Sequence, residues 1–256
     1  MMSNLIRTSL ALSFVAAALT FPAGGLITVH GQERATPFPV ASVFFELNNS
    51  AGDLGIHGEI DGGPWTTLEI EGPGDRKLLS LVSKGRLRTQ GMTQLAFESA
   101  EPPFSELAPE VFFRRFPEGE YEIEGRKQDG GTLESTVRLS HVMAAPPGNI
   151  TVNGLPAAEN CDARPLPVVQ SPVLVDWDPV TTSHPDIGKT GPVTISRYQY
   201  FVELVGGKLS IDLPPSTTEW LVPFTPADRG RTFKFEIIAR TSTGNNTAVE
   251  SCFVLK

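Results

Sequence analysis

The chain is poor in the residues that most often carry chemistry. Its 256 residues include two cysteines and four histidines. No histidine or second cysteine lies near Cys161 or Cys252, so a zinc site built on either is not expected. Positive charge is also short: 21 Lys and Arg stand against 29 Asp and Glu, a net charge of −8 with a pI near 5.1. That balance argues against a nucleic-acid or anionic-membrane partner. Nucleophile elbows, phosphate loops, dinucleotide fingerprints and zinc helices are all missing, so neither a cofactor nor an enzymatic activity is expected. Beyond the first thirty residues no run is long or apolar enough to span a membrane. What the chain does have is 24 Gly and 22 Pro, about 18% of the residues against roughly 12% in average proteins. With 40% hydrophobic residues it can build a core, so disorder is excluded and a turn-rich β protein is favoured.

The N-terminus reads as an address. Arg7 is the one charge in residues 1–9, and an apolar run from Leu10 to Phe21 leads into Pro22, Ala23, Gly24 and Gly25. This is the pattern of a secretory signal peptide, with cleavage expected between Ala23 and Ala35. Read on through Leu26, Ile27 and Val29, the same stretch would serve as an uncleaved anchor. No cysteine follows the apolar run, which excludes a lipoprotein anchor. The expected location is secreted, periplasmic or extracellular. An oxidising compartment then favours a disulfide between Cys161 and Cys252. Closing a loop of that length is worth about 4–5 kcal/mol in the chain-entropy model.

Turn clusters divide the rest into short apolar segments, and strands are expected at 43–47, 54–60, 65–70, 78–87, 93–98, 120–126 and 133–142. Turns are expected at 48–53, 61–64, 72–75 and 129–131. Glu120, Glu122 and Glu124 alternate with Tyr121 and Ile123, and Leu133, Val137 and Leu139 alternate with Glu134, Thr136 and Arg138. Period two of this kind indicates antiparallel sheet with one face in water. One short helix is expected, with Pro109 in its first turn, Leu107, Val111, Phe112 and Phe116 as its stripe, and Pro117 as its stop. Prolines crowd 145–167, which reads as a boundary. The expected layout is a leader over 1–35, an acidic β-rich domain over 36–148, a Pro-rich linker over 149–164 and a last domain over 165–256. Asn149 to Val152 is a candidate closing strand of the first domain. Residues 36–148 hold 17 acidic and 10 basic side chains, and 149–256 hold 11 and 9.

In the last segment Val173, Val175 and Trp177 alternate, a second strand carries Tyr198, Tyr200 and Val202, and Phe233, Phe235, Ile237 and Ala239 alternate in a third. This order and spacing resembles the fibronectin type III pattern over 165–256. The resemblance implies an immunoglobulin-like sandwich used for spacing or for protein and glycan contact. It also implies a departure: Phe233 stands where the family has its corner tyrosine, so the hydroxyl-to-backbone bond there would be missing. The expected fold is thus all-β, two β-sandwich-like domains in tandem.

The sharpest local cluster is His57, Glu59 and Asp61, which share a face if 54–60 is a strand and would suit a divalent cation, or else form an ordinary polar face. Loop 48–53 has oxygen ligands but one carboxylate, poor for calcium. Lys84, Arg86 and Arg88 alternate as if on a strand, either pairing with Glu69, Glu71, Glu120, Glu122 and Glu124 or lining an anion groove. Trp65 is a candidate sugar-stacking side chain, while Trp177 and Trp220 read as core. Loop 181–192 carries His184, Asp186 and Lys189. Asn48, Asn149 and Asn245 each open an Asn-x-Ser/Thr triplet. The expected role is a secreted, non-enzymatic binding or spacer protein that meets a protein or glycan surface; the rival is a secreted carbohydrate-active hydrolase with the last domain as accessory.

Overall fold

Residues 35–256 are described by the computed structural model; the expected signal peptide and His30 lie outside the described residues. Strand makes up 55% of the structure and the helices are short, so the protein is all-β. The N-terminal half comprises β1 (Val40–Asn48), β2 (Asp53–Gly72), β3 (Arg76–Val82), α1 (Gly85–Gln90), β4 (Met92–Glu98), α2 (Pro109–Arg115), β5 (Gly119–Lys127), β6 (Thr132–Leu139) and β7 (Val142–Ala144).

β2 organises this half. Its first part pairs with β1 on one edge and β4 on the other, and its second part pairs with β5 and β3. The register against β4 shifts between Asp61 and Trp65. Gly62-Gly63-Pro64, expected to end a strand, instead bends one strand from one layer into the next, which is how sandwich corners form. A Cβ on Gly62 would lie 2.8 Å from the Phe38 ring, so this crossing needs glycine. The layers enclose Phe45, Ile60, Trp65, Leu68, Ile70, Ile123 and Leu139, joined by Phe112 and Phe113 of α2. Trp65 is fully buried and has no face to offer a sugar.

The alternation in β5 and β6 is as expected: Tyr121 and Ile123 are buried, and Glu120, Glu122 and Glu124 face water. The basic triad is not where the alternation put it. Gly85, at φ +60°, breaks the strand after Val82, and Gly85–Gln90 coils into α1, closed by Gly91 at φ +79°. Arg86 and Arg88 are therefore exposed on a helix, with Lys84 at its N-cap. Across the sheet, Glu69 lies opposite Glu124, which lies opposite Glu134, and Glu71 lies opposite Glu122. Lys77 answers two of these carboxylates, at 2.9 Å from Glu69 and 3.5 Å from Glu71.

The C-terminal half comprises β8 (Thr151–Val152), β9 (Leu155–Pro156), β10 (Val168–Val169), β11 (Val173–Asp176), β12 (Ser183–Gly188), β13 (Ile195–Leu204), β14 (Gly207–Leu213), β15 (Glu219–Val222), β16 (Arg231–Thr241) and β17 (Asn246–Leu255). One layer has the order β14-β13-β16-β17 and the other β15-β11-β8-β9. Between them lie Trp177, Tyr198, Tyr200, Phe235, Ile237 and Phe253, with Trp220 half-buried against them. β8 pairs with β11, so the segment that looked like a closing strand of the first half belongs to this second sandwich.

The halves are joined by a splice. The last residues of β1 pair in parallel with the first of β17: Glu46 with Asn246, Leu47 with Thr247 and Asn48 with Ala248. Because β17 runs on from there in the same direction, Val40 and Leu255 lie at opposite ends of one long sheet. Roughly fifteen residue steps separate them, about 50 Å at about 3.3 Å per step.

Like charges opposed on neighbouring strands destabilise a sheet. Glu124→Gln relieves two such contacts and is expected to raise the urea midpoint by about 0.3 M at low ionic strength. The gain should shrink in 1 M NaCl, where screening is nearly complete over such distances.

Candidate functional site

Cys161 and Cys252 form the expected disulfide, with Cα atoms 4.9 Å apart, fastening the 160–163 turn to β17. The double substitution Cys161→Ser/Cys252→Ser is expected to lower stability by about 4–5 kcal/mol, read from denaturant unfolding of oxidised protein against the variant.

His57, Glu59 and Asp61 do share a face of β2, but they do not converge. His57 turns to Glu101, 2.8 Å away on the segment after β4, and stacks on Phe44 at 5.5 Å. Glu59 is exposed. Among the described residues no three His, Cys, Asp or Glu side chains are arranged to hold a metal ion. In loop 48–53 the Asn48 side-chain oxygen accepts the N–H groups of Ser50 and Ala51, so it serves the turn. Asn245 is fully buried, its amide nitrogen donates two bonds and its oxygen accepts one, which makes it a structural residue and no glycan acceptor. Asn149 is exposed and donates to Asp178 at 2.5 Å.

An acidic junction surrounds the splice. Glu46 accepts from Asn246 at 2.8 Å, Asn48 donates to Glu250 at 3.1 Å, and Lys234 pairs with Glu250 at 2.5 Å. Asp53 sits beside this group, and burial, then Glu101, Glu250 and Glu46, push its carboxyl up to about 6. Burial disfavours the His57 imidazolium, yet the bond to Glu101 and the charges of Glu46, Glu101 and Glu98 hold it above its ordinary value. For Asp53 the folded state binds its proton more tightly than the unfolded chain, so the residue costs stability as pH rises from about 4 to 6, and the whole cost is present above that. Solvent screening at this half-exposed site leaves roughly 1 kcal/mol of it. Asp53→Asn is therefore expected to raise the melting temperature by about 2–4 °C at pH 7.5 and by nothing at pH 4.

The segment 181–192, expected as a loop, contains β12, which pairs with β7 and packs against α2. His184 is buried within it. Its Nδ1 accepts the N–H groups of Asp186 and Ile187, so the proton resides on Nε2, which donates to Asn49 at 3.0 Å. Burial lowers its pKa against the opposing charge of Asp186.

Where α2 meets β12 there is a groove of about 620 Å³. Phe113 and His141 form its floor, their rings 4.6 Å apart. His141 donates Nε2–H to the Phe116 carbonyl at 2.8 Å, and its backbone N–H donates to Glu118 at 2.7 Å. Glu118 also pairs with Lys189. Burial opposes its charge, but Lys189 and the His141 N–H outweigh that and hold its carboxyl below the usual range. Gly188, at φ +80°, lies against the His141 carbonyl, where a Cβ would come to 2.2 Å. Arg114, Glu110 and Asp186 complete the rim. No hydroxyl or thiol lines the groove, and Glu118 is committed to two partners, so this is an apolar floor with a mixed-charge rim, suited to holding a ligand.

No family model and no curated protein matches the sequence. Solved structures align at low scores. A bacterial ice-binding adhesin described for host cell surface retention aligns at 12% identity, covering 87% of this chain and 66% of that one, with a TM-score of 0.26. A two-domain fibronectin type III segment of chicken tenascin aligns at 13%, covering 84% and 97%, with a TM-score of 0.28. The human OSCAR ligand-binding domain aligns at 11%, covering 86% and 100%, with a TM-score of 0.27. No residue or role is carried over from them.

Of the groove residues, Asp186 and Lys189 stand in the expected loop 181–192, while His141, Glu118 and Phe113 are not among the expected site residues. The signal that could have found Phe113 is the Phe112-Phe113 pair. A two-turn helix clamped between two layers buries both, where a single stripe would bury one.

Proposed function

We propose that this is an exported, non-enzymatic binding or spacer protein that meets a protein or glycan surface. In this reading a leader precedes an acidic β domain over 36–148 and a fibronectin type III-like domain over 165–256, to whose sheet the expected linker contributes β8 and β9. The observation that carries it is the parallel splice of β1 to β17, which supports a role in holding two ends of the chain apart. A disulfide suits an oxidising compartment outside the cytoplasm. The α2–β12 groove, with its apolar floor and charged rim, supports contact with a ligand more than turnover of one.

Spin labels on Val40→Cys and Lys256→Cys, with the native disulfide kept oxidised, are expected to lie about 50 Å apart in one narrow distribution. A broad or short distribution overturns the spacer role. Pull-down of glycans and proteins by the secreted chain tests the contact role, and turnover of an ester or glycoside by the purified protein overturns the non-enzymatic reading.

A further inference from the structure

β14 is the outermost strand of its sheet, and among the described residues β13 is the one strand that lies along it. The two are joined by a two-residue turn, Val205-Gly206, with Gly206 at φ +81°. In such a hairpin the residues flanking the turn, Leu204 and Gly207, form a hydrogen-bonded pair, and bonded pairs then recur at every second residue. Gly207, Leu209, Ile211 and Leu213 therefore turn their backbone groups to β13, and Lys208, Ser210 and Asp212 turn theirs outward. The same parity, carried through β16 to β17, turns Ala248 and Val254 outward from that strand. There the Ala248 carbonyl accepts from Asn49 N–H at 2.9 Å and Val254 N–H donates to the Pro167 carbonyl at 2.8 Å, as the parity requires. No such partner meets β14: among the described residues the outward N–H and C=O groups of Lys208, Ser210 and Asp212 are free.

Open edges are usually blunted by a proline, a bulge or a covering loop. β14 has no proline and no register shift against β13. Its sequence, Gly-Lys-Leu-Ser-Ile-Asp-Leu, is instead complementary to itself. Laid antiparallel on a second copy about Ser210, it sets Lys208 opposite Asp212, Leu209 opposite Ile211 and Ser210 opposite Ser210. This register also brings outward groups onto outward groups, so all three free residues of each strand enter bonded pairs. A shift by two residues leaves Lys208 and Asp212 without opposite charges, and a shift by four sets Lys208 on Lys208 or Asp212 on Asp212. Within one chain Lys208 pairs with Glu203 at 3.6 Å and Asp212 with Arg197 at 3.3 Å. The joint therefore lines up Glu203, Lys208, the partner's Asp212 and the partner's Arg197, with the sign alternating along the row. On the other face Leu209 and Ile211, half-buried at the margin of the core, gain cover from each other.

We propose that β14 joins two copies of this chain across a two-fold axis at Ser210, continuing one sheet through both. The occupant of the edge is a second copy because the complementary charge is carried by the strand itself, in the one register that its backbone also satisfies. Seven residues make a small interface, so the dimer is weak and forms with rising concentration. The inference goes beyond contact with a protein or glycan surface and does not rest on it; such a dimer carries two α2–β12 grooves and would meet a repeating surface through both.

Sedimentation of the full, oxidised chain between about 10 μM and about 1 mM is expected to show monomer passing into dimer. Over the same range hydrogen exchange should slow at the Lys208, Ser210 and Asp212 amides and stay unchanged at Leu209 and Ile211. Lys208→Glu and Asp212→Lys each set like charges at both ends of the joint and are expected to weaken the dimer about tenfold. Mixed in equal amounts, the two variants should recover it, since each then meets opposite charge at both positions. Mild oxidation should link Ser210→Cys to itself, its opposed Cα atoms lying about 5.5 Å apart, and should leave Lys208→Cys unlinked. Results that overturn the proposal are monomer throughout, a dimer without protection of the three amides, no recovery in the mixture, or equal linking of the two cysteine variants. Protection that follows an added protein rather than the concentration of this chain also overturns it and gives the edge to a different occupant. None of these depends on the end-to-end spacing or on ligand capture, so failure here and failure of the proposed function are read separately.

Discussion

The arrangement of the molecule depends on three consecutive polar residues, Asn245, Asn246 and Thr247, buried without measurable exposure between two apolar cores. Polar groups in such a place are costly unless bonded. Asn245 links Phe45 to Ser140 and Val142; Asn246 donates to Glu46; Thr247 donates to the Ala144 carbonyl at 2.9 Å. Apolar side chains at these positions would bury as well but would have no preferred register. Directional bonds allow one alignment of β1 on β17, and that alignment sets the direction in which the second sandwich extends. The cores contribute most of the stability, and this polar turn sets their relation.

The charge distribution is consistent with that division of labour. The face of β2, β5 and β6 that turns to water places glutamates opposite glutamates and leaves them to solvent, a small cost on a well-packed sheet. At the junction, carboxylates near Asp53 and Glu250 are partly withdrawn from water and are answered by Lys234 and by amides. Here deprotonation of Asp53 opposes folding. His184 has the opposite sign, because its buried neutral ring loses stability as pH falls below its ordinary range.

Much of the fold was legible in period-two alternation, because a strand with one wet face writes its orientation into every second residue. Glu120 to Glu124 and the 233–239 strand are of this kind, and so is the disulfide, which follows from parity and compartment. What was illegible has a common cause. Gly62-Gly63-Pro64 has the same local chemistry whether the chain turns back or bends onward; only the partners of β2 decide, and they are distant in sequence. Lys84, Arg86 and Arg88 fit a strand by spacing, yet Gly85 at positive φ ends it. The settings of His184 and His141 are not legible locally, because their partners, Asn49 and Phe116, come from elsewhere in the chain.

The two halves are stabilised by different means at the starts of comparable strands, β5 and β16. Phe233 has no hydroxyl to return to the backbone; instead it packs against Phe224 at 4.6 Å and Phe253 at 5.8 Å, with the disulfide one residue before Phe253. The bond that Phe233 lacks is found in the other half. Tyr121, near the start of β5, donates its hydroxyl to the Pro117 carbonyl four residues upstream at 3.0 Å, and burial pushes its phenol up to about 12. A Tyr121→Phe change would leave that carbonyl without its partner beside the turn that carries Glu118, and so would loosen the groove wall. At Phe233 an aromatic cluster and a covalent link hold the corner instead. A hydroxyl at a strand start is therefore one of several ways to fix a corner, and what selects it here is the neighbourhood: the Tyr121 corner supports a ligand-sized groove, whereas the Phe233 corner closes over solid core.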